Sequence, residues 1–333
     1  SQELDELEVF FKRTVYSRSP RAYIIKWLTD YVGDYGIDGY RVDTVKHANE
    51  KSWAELYEQA SYAFETWKKK NQDEVLDENS FYMMGEVYNY SISGGREFDF
   101  GDKKVDFFDN GFHSLINFEL KHDATKDYET IFSKYSKLLH TKLKNKSVVN
   151  YLASHDDGQP FDQERKEAIR AANVLLLTPG ASQVYYGDEF GKQNDSDYYA
   201  EQIQLTAKDD SRFLVRGRID WEKLERELQD EKSMSAQVYS KLSTMLKTRA
   251  NYKTFGRGDI YWLIEELKNK NLLAYTRTYE NQQMLVVHNL SKVEQKISIP
   301  FELKELLLSN NIQWNTVDNE LTMQASSYAW FTF

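Results

Sequence analysis

The sequence of 333 residues contains no cysteine, which excludes disulfide-stabilised scaffolds, thiolate zinc sites and cysteine nucleophiles. It also lacks a run of about 18 apolar residues, the length that a membrane-spanning helix needs. Basic residues are the minority, with 43 Lys and Arg against 53 Asp and Glu and a formal net charge of −10. Because such a chain repels a phosphate backbone and shows no clustered basic face, we do not expect nucleic acid as a partner.

Proline is scarce too, and its four positions lie near the ends of predicted elements. Ser19 and Pro20 predict the N-cap and first residue of a helix that ends near Gly33 or Gly36. Downstream, strands alternate with helices, which predicts βα units and a parallel sheet. The predicted strands cover residues 37–45, 81–87, 148–153 and 181–186, and the predicted helices cover residues 51–69 and 162–177.

The pattern changes after about residue 251. Residues 272–279 and 284–289 predict an antiparallel hairpin, and the closing SYAWFTF predicts a further strand. We therefore predict two domains, a (β/α) barrel domain at residues 1–251 and a small antiparallel β-sandwich at residues 252–333.

Aromatic residues, by contrast, make up 14% of the chain, and 23 of them are Tyr. Composition alone favours a Tyr-rich core and surface, and stacking against flat ligands such as sugars is the alternative. Trp221 and Tyr198-Tyr199 are candidate sugar platforms under that alternative.

The stretch YGIDGYRVDTVKH, residues 35–47, is the most informative. Alternation along a strand puts Arg41 and Asp43 side by side at the strand end. An adjacent Arg favours the ionised carboxylate that a nucleophile needs, although Arg-x-Asp on a strand is more often a structural ion pair.

Two further stretches end strands with acidic residues. In FYMMGEVY, residues 81–88, Glu86 follows an apolar strand, and apolar surroundings favour the protonated carboxyl group of a general acid. The alternative is a strand-end Glu that points into solvent. In VVNYLASHDDG, residues 148–158, His155 and Asp156 end a strand and can converge on a substrate. A metal site is the other interpretation of this pair, but no further ligand occurs nearby at suitable spacing.

Asp43, Glu86 and Asp156 thus all follow the carboxyl ends of strands in βα units. Catalytic residues of a (β/α) barrel collect at that edge, and two facing carboxylates are the apparatus of a glycoside hydrolase. No serine nucleophile elbow, P-loop or dinucleotide-binding fingerprint competes with this interpretation.

These stretches resemble signature regions of the alpha-amylase superfamily, glycoside hydrolase family 13. DGYRVDTVKH, MMGEVY and YLASHDD are similar to the regions on strands 4, 5 and 7, and GFHSLINFEL and LLLTPGASQVYYGDE are similar to the segments of strands 6 and 8. The details of DGYRVDTVKH and SHD resemble the periplasmic or secreted bacterial alpha-amylases that act on malto-oligosaccharides. The resemblance implies an α/β fold, a partial TIM (β/α)8 barrel with strands 4–8, followed by a C-terminal antiparallel β-sandwich.

The resemblance also implies a role for each matching residue. Asp43 would be the nucleophile, Glu86 the general acid/base, and Asp156 the residue that binds and stabilises the distorted sugar. The remaining residues would contact substrate or orient these groups: Arg41 beside the nucleophile, His155 on the same sugar ring, and Lys46 and His47 on the acceptor side.

The cofactor implied is a structural calcium ion bound through the backbone carbonyl of His47, with no organic cofactor. The family's first signature, on strand 3, is absent, and strand 4 begins near Ile37. We therefore expect a barrel fragment without strands 1–3 and the inserted domain B, an incomplete calcium site, and the missing N-terminal portion as a partner.

The expected function is hydrolysis of α-1,4-glucosidic bonds in starch or malto-oligosaccharides with retention of configuration. An α-glucan transglycosylase, an α-1,6-glucosidase and an inactive glucan-binding fragment are the alternatives. By resemblance the protein is periplasmic or secreted, and a cytoplasmic location stays open.

Overall fold

The computed structural model describes residues 2–263 and 271–333. Spatial contacts divide the chain into two compact units. The first unit comprises the chain up to Asn117 together with Lys146–Val148, and the second comprises Phe118–Asn145 and Val149–Phe333.

The first unit contains three helices and five short strands. They are α1 (Gln2–Thr14), α2 (Pro20–Tyr35), β1 (Gly39–Val42), α3 (Glu50–Lys70), β2 (Tyr82–Gly85), β3 (Glu97–Asp99), β4 (Lys104–Asp106) and β5 (Ser114–Asn117). The predicted caps of α2 are confirmed, because Ser19 Oγ accepts a hydrogen bond from the amide of Ala22 at 3.4 Å. At the other end Gly36 adopts φ 65° and its amide donates to the carbonyl of Val32 at 3.0 Å.

Parallel pairing sets the register of the first unit. β1 pairs with β2, with Gly39 opposite Tyr82 and Val42 opposite Gly85, and β2 pairs with β5. Helix α3 buries Leu56, Ala60 and Phe64, which are spaced four residues apart on one face. The alternation of strand and helix predicted from the sequence therefore gives parallel strands.

The second unit contains the remaining elements, and β6 (Ser147–Asn150) begins in the first unit and ends in the second. They are α4 (Leu120–Asp123), α5 (Tyr128–His140), α6 (Ala168–Leu177), β7 (Ala181–Ser182), α7 (Ser196–Thr206), α8 (Trp221–Gln229), α9 (Met234–Asn251), α10 (Thr254–Arg257), β8 (Asp259–Trp262), β9 (Leu272–Tyr279), β10 (Gln282–Asn289), β11 (Gln295–Ser298), β12 (Glu305–Asn315) and β13 (Glu320–Thr332). β6 and β7 are parallel, with Val149 opposite Ala181.

Helix α6 starts later than the sequence predicts. Asp162 and Arg165 adopt φ values of 54° and 55°, which are incompatible with a right-handed helix. The Asp162 carboxylate instead accepts the amide of Glu167 at 2.8 Å, one residue before α6 begins. A prediction from helical spacing alone cannot detect these backbone reversals.

The C-terminal strands β8 to β13 form one connected antiparallel sheet, and the predicted hairpin is confirmed as β9 and β10. β13 pairs with β11 through its first residues, with β10 through its last, and with β12 along much of its length. The expected sandwich is therefore a single sheet in its hydrogen bonding. Leu285, Val287, Leu321 and Phe331 belong to its buried core.

The predicted boundary near residue 251 stays a prediction. The antiparallel strands start at Asp259, and the second unit contains them together with helices α4 to α10. Among the described residues, no helix is both long enough and apolar enough to cross a bilayer.

Candidate active site

Asp43 and Glu86 occupy matching positions on two paired strands. β1 ends at Val42 and β2 ends at Gly85, and these two residues face each other in the parallel register. Asp43 and Glu86 are the next residues along each strand direction. The sequence prediction that both carboxylates follow strand ends is therefore confirmed.

Glu86 is hydrogen-bonded to the chain on both sides of Asp43. Its amide donates to the carbonyl of Val42 at 2.8 Å, and its carbonyl accepts the amide of Val45 at 3.0 Å. Its side-chain Oε2 accepts the amide of Thr44 at 2.8 Å. Thr44 adopts φ 48°, a conformation that is strained for a β-branched residue. Two bonds thus fix the turn after Asp43 to the half-buried Glu86, and a third fixes the residue before Asp43.

Arg41 and Asp43 form the predicted ion pair, in which Nη1 of Arg41 donates to Oδ1 of Asp43. Their side chains are 36% and 60% exposed, and exposed ion pairs contribute little to stability. The pair therefore orients the Asp43 carboxylate more than it stabilises the fold.

Lys46 and His47 lie in a short 3-10 turn after Asp43. The Lys46 ammonium donates to the carbonyl of Tyr88 at 3.1 Å, and it lies 5.0 Å from the ring of Tyr88 and 5.2 Å from the ring of Phe98. His47 is exposed, and its amide donates to the carbonyl of Thr44 at 3.0 Å. Lys46 is therefore held at the chain just beyond Glu86, while the imidazole of His47 faces solvent.

In the second unit, two arginines and one histidine contact the carboxylate of Asp156. Its Oδ1 accepts Arg212 at 3.1 Å and Arg216 at 2.8 Å, and its Oδ2 lies 3.1 Å from Nε2 of His155. Arg216 also donates to the carbonyl of His155 at 2.7 Å. The pair predicted from the sequence therefore forms one polar cluster at the surface.

Sequence reasoning missed Arg212 and Arg216. Both come from the segment SRFLVRGR, which begins with a 3-10 turn at Ser211–Leu214. Arg212 also holds the pKa of Asp210 at about 2 through their side-chain hydrogen bonds. The sequence does contain a signal for these residues, because three arginines occur within seven consecutive positions of a chain that is acidic overall.

The second acidic residue of the His-Asp-Asp stretch has a different environment. Asp157 is buried, and its carboxylate accepts Lys121 at 2.6 Å and the amide of Gln159 at 3.1 Å. Its two oxygens are engaged by the protein, whereas Asp156 is exposed. This contrast assigns a structural role to Asp157.

The described residues show no cluster of side chains that would mark a metal site. Across 2–263 and 271–333, no three His, Asp or Glu side chains are grouped so that they could hold a metal ion. The carbonyl of His47 would supply one of the six to eight oxygens that calcium takes. Calcium therefore stays a prediction, and no chemical step depends on it.

Family profiles and known proteins match most of the chain. The family profile described as alpha amylase, catalytic domain, matches residues 15–286, and the profile of the alpha-amylase SusG C-terminal domain matches residues 272–327. The periplasmic alpha-amylase of Escherichia coli (strain K12) is 32% identical over 66% of this chain and 32% of its own length. The alpha-amylase SusG of Bacteroides thetaiotaomicron is 22% identical over 90% of this chain and 44% of its own length.

A solved structure gives the same fold. The crystal structure of an alpha-amylase from H. orenii superposes with a TM-score of 0.60 at 20% identity, covering 95% of this chain and 65% of the other. The predicted fold class, barrel βα units followed by an antiparallel C-terminal sheet, is confirmed by this likeness. The chain spans about a third to a half of the length of the two curated relatives.

Proposed function

The chain belongs to the alpha-amylase catalytic-domain family, and from this premise we propose that it is a retaining glycoside hydrolase of α-1,4-glucosidic bonds in starch or malto-oligosaccharides. The observation that carries the proposal is the bonding of Glu86 to Val42, Thr44 and Val45, on both sides of Asp43. A nucleophile and an acid/base must keep a fixed relation through both steps of a retaining reaction.

In the first step the Asp43 carboxylate attacks the anomeric carbon and forms a glycosyl ester. Glu86 gives its proton to the glycosidic oxygen as that bond breaks, so the leaving sugar departs as a neutral alcohol. In the second step Glu86 takes a proton from water, and the resulting hydroxide attacks the anomeric carbon and releases Asp43. Retention requires carboxyl groups about 5–5.5 Å apart.

The hydrogen bonds of Glu86 and Asp43 suit these roles. Because Oε2 of Glu86 accepts the Thr44 amide, its other oxygen, Oε1, is the one available to carry the transferred proton. Arg41 donates to Oδ1 of Asp43 and so orients this carboxylate for attack and remains its hydrogen-bond partner when it leaves in the second step.

We assign Asp156 and His155 to sugar hydroxyl groups. Arg212 and Arg216 converge on Oδ1 of Asp156, which leaves Oδ2 beside the imidazole of His155. A carboxylate and an imidazole held in this way accept and donate hydrogen bonds to neighbouring hydroxyl groups. Lys46 would contribute on the acceptor side, next to the exposed ring of Tyr88.

A transglycosylase or an α-1,6-glucosidase would use the same covalent intermediate. Water and a sugar hydroxyl compete for that intermediate, so the acceptor-side groups decide the product. Chromatography of the products from maltoheptaose separates hydrolysis from transfer, and an enzyme specific for α-1,6 bonds would leave this α-1,4-linked substrate intact. Hydrolysis gives only shorter oligosaccharides, whereas transfer also gives longer ones.

The name of one relative, a periplasmic alpha-amylase, supports a location outside the cytoplasm. Fractionation of cells that express the native gene tests it. Recovery of the protein with cytoplasmic markers would contradict this location.

The experiment that tests the mechanism uses Asp43→Asn and Glu86→Gln. Each change removes a group that the reaction needs, so we expect turnover of maltoheptaose to fall by at least about 10²–10⁴-fold. The control is Asp102→Asn, an exposed carboxylate outside the proposed site.

Circular dichroism shows whether each variant folds, and proton NMR follows the configuration of the first product. Near-normal hydrolysis by folded Asp43→Asn would contradict the nucleophile assignment. An inverted first product would contradict the retaining mechanism.

A further inference from the structure

A cleft of about 550 Å³ lies within the second unit, in the region after β7. This volume is in the range of small-molecule sites. Its lining residues lie between Arg165 and Ser235 in the sequence and include Phe190, Lys192, Gln193 and Asn194. None of the seven site residues predicted from the sequence is among them.

One lining residue, Arg165, belongs to a largely buried ion pair. Arg165 donates to the carboxylate of Asp188 at 2.7 Å and to the carbonyl of Lys192 at 2.8 Å. The side chains of Arg165 and Asp188 are 10% and 12% exposed. The guanidinium is therefore engaged with protein groups and is not a free anion receptor.

One wall of the cleft carries unengaged polar side chains. Within the described part of the chain, Gln193, Asn194, Ser196 and Asp197 have no side-chain hydrogen bond or ion pair, and all four line the cleft. Carboxamide, hydroxyl and carboxylate groups together offer both donors and acceptors. A ligand with many hydroxyl groups can satisfy such a mixed set.

The charges of the lining residues balance. The cations are Arg165, Lys192, Arg218 and Lys223, and the anions are Asp195, Asp197, Asp220 and Glu227. A cleft for phosphate or a metal ion would carry an excess of one sign. The balance favours a neutral polar ligand.

An exposed indole directly follows a lining residue of this cleft, Asp220, along the chain. Trp221 is 64% exposed, and it begins α8, the helix that supplies Lys223, Leu224 and Glu227 to the lining. The other predicted platform is Tyr198-Tyr199: the ring of Tyr198 lies 5.5 Å from the guanidinium of Arg218, and the hydroxyl of Tyr199 donates to the carboxylate of Asp209. Trp221 is therefore the aromatic surface open for stacking against a sugar ring.

We propose that this cleft binds an α-glucan chain at residues separate from the proposed catalytic groups, with Trp221 as the stacking platform and Asn194 and Asp197 as hydroxyl partners. The choice of α-glucan as the ligand rests on the proposed function. The cleft would retain the protein on a polymer while another segment of the same polymer is cleaved.

The experiment measures adsorption of the full chain to insoluble starch. All binding arms carry Glu86→Gln so that the polymer is not consumed. Trp221→Ala, and separately the pair Asn194→Ala with Asp197→Ala, are compared with Tyr239→Ala. Tyr239 is a 46% exposed aromatic residue on α9 that does not line the cleft. We expect each cleft variant to bind about tenfold more weakly and the control to bind normally.

The second measurement uses the cleft variants with Glu86 restored and a short chromogenic maltotrioside. We expect unchanged kcat/KM, because none of the substituted residues is a proposed catalytic or substrate-binding group of the candidate active site. Unchanged adsorption in both folded cleft variants would overturn the proposal, as would a parallel loss of maltotrioside hydrolysis.

The experiment distinguishes failure of the cleft proposal from failure of the proposed hydrolase function. A chain that adsorbs through Trp221 but never hydrolyses retains the cleft proposal and rejects the hydrolase. A chain that neither hydrolyses nor adsorbs rejects both.

Discussion

At the scale of single residues, the carboxylates of Glu86 and Asp156 are held by groups that have no part in the proposed cleavage of the glycosidic bond. Glu86 is held by the backbone around Asp43, and Asp156 is held by Arg212 and Arg216. These contacts fix the direction of each carboxylate, which matters because small displacements of reacting groups reduce rates strongly.

Arg216→Ala tests this positioning role. Arg216 bonds both Asp156 and the carbonyl of His155, so its loss frees two proposed substrate contacts. We expect kcat/KM for maltoheptaose to fall by about tenfold to a hundredfold, the equivalent of one charged hydrogen bond. Arg216→Lys should recover part of the loss, because one donor remains.

The control is Arg226→Ala, an exposed Arg on α8. A merely structural role for Arg216 would lower the free energy of unfolding and leave kcat/KM of the folded enzyme intact. That result would contradict the positioning role.

Asp188 predicts a pH dependence of stability. Burial raises its pKa to about 6 from the ordinary 3.8, despite the opposing charge of Arg165. The folded state therefore holds a proton between pH 4 and pH 6 that the unfolded state releases. Stability from this group is complete below about pH 4 and is lost as pH rises through 6, by up to about 3 kcal/mol.

Urea unfolding of the wild type and Asp188→Asn checks this sign. The Asn variant lacks the titration, so the wild type should lose stability relative to it as pH rises from 4 to 6. A difference that stays constant with pH, or moves the other way, would refute the assignment.

At the scale of elements, β1 and β2 approach so closely that Gly39 is required between them. A Cβ on Gly39 would lie 2.7 Å from the backbone oxygen of Tyr82, which cannot move without breaking the strand pair. Gly33, in the last turns of α2, has no atom within 4 Å of the same position. The two glycines therefore respond to alanine in opposite ways.

We expect Gly39→Ala to lower the free energy of unfolding by about 1–3 kcal/mol through steric strain. Gly33→Ala should raise it by about 0.5–1 kcal/mol, because alanine loses less backbone entropy in a helix. Urea denaturation of both variants measures the two signs. Equal effects would show that the close approach of β1 and β2 has no energetic consequence.

The sequence predicts elements well where the signal is local. Ser19 and Gly36 set the ends of α2 because each cap contacts its own helix. The start predicted for α6 was wrong because Asp162 and Arg165 adopt left-handed conformations, which depend on contacts outside the helix. Arg165, for example, donates to Asp188 and to the carbonyl of Lys192.

At the scale of the whole molecule, the half-buried Arg249 and the buried Arg277 connect α6 to the later elements of the second unit. Arg249 of α9 donates to the carbonyls of Leu176 and Phe255, and Arg277 of β9 donates to the carbonyl of Leu177 at 3.3 Å. Leu176 and Leu177 end α6, where helix carbonyls lack intrahelical partners. The bonds of Arg249 to Phe255 and of Arg277 to Leu177 cross residue 251, the predicted domain boundary.

Leu285→Ala tests whether the second unit unfolds as one body. Leu285 is fully buried in the core of the C-terminal sheet, and we expect its truncation to cost about 2–5 kcal/mol. Tyr275 of that sheet contacts Phe132 of α5 at 5.7 Å, so α5 should lose protection together with the sheet. Native-state hydrogen exchange measures both.

The control is Val293→Ala, a 60% exposed side chain near the same strands. Faster exchange in the sheet with unchanged exchange in α5 would support independent unfolding at the boundary near residue 251. It would contradict a cooperative second unit.

The sequence by itself determined the strand–helix alternation, the caps of α2 and the positions of Asp43 and Glu86 just after strands, whereas Asp156 lies six residues beyond the end of β6 at Asn150. Each of these depends on residue type and short-range geometry. Only the tertiary structure decided which groups hold those carboxylates. Thr44 and Glu86 are 42 residues apart, and Arg212 and Arg216 are 56 and 60 residues from Asp156. Contacts over such separations form when the chain packs, so no local pattern encodes them.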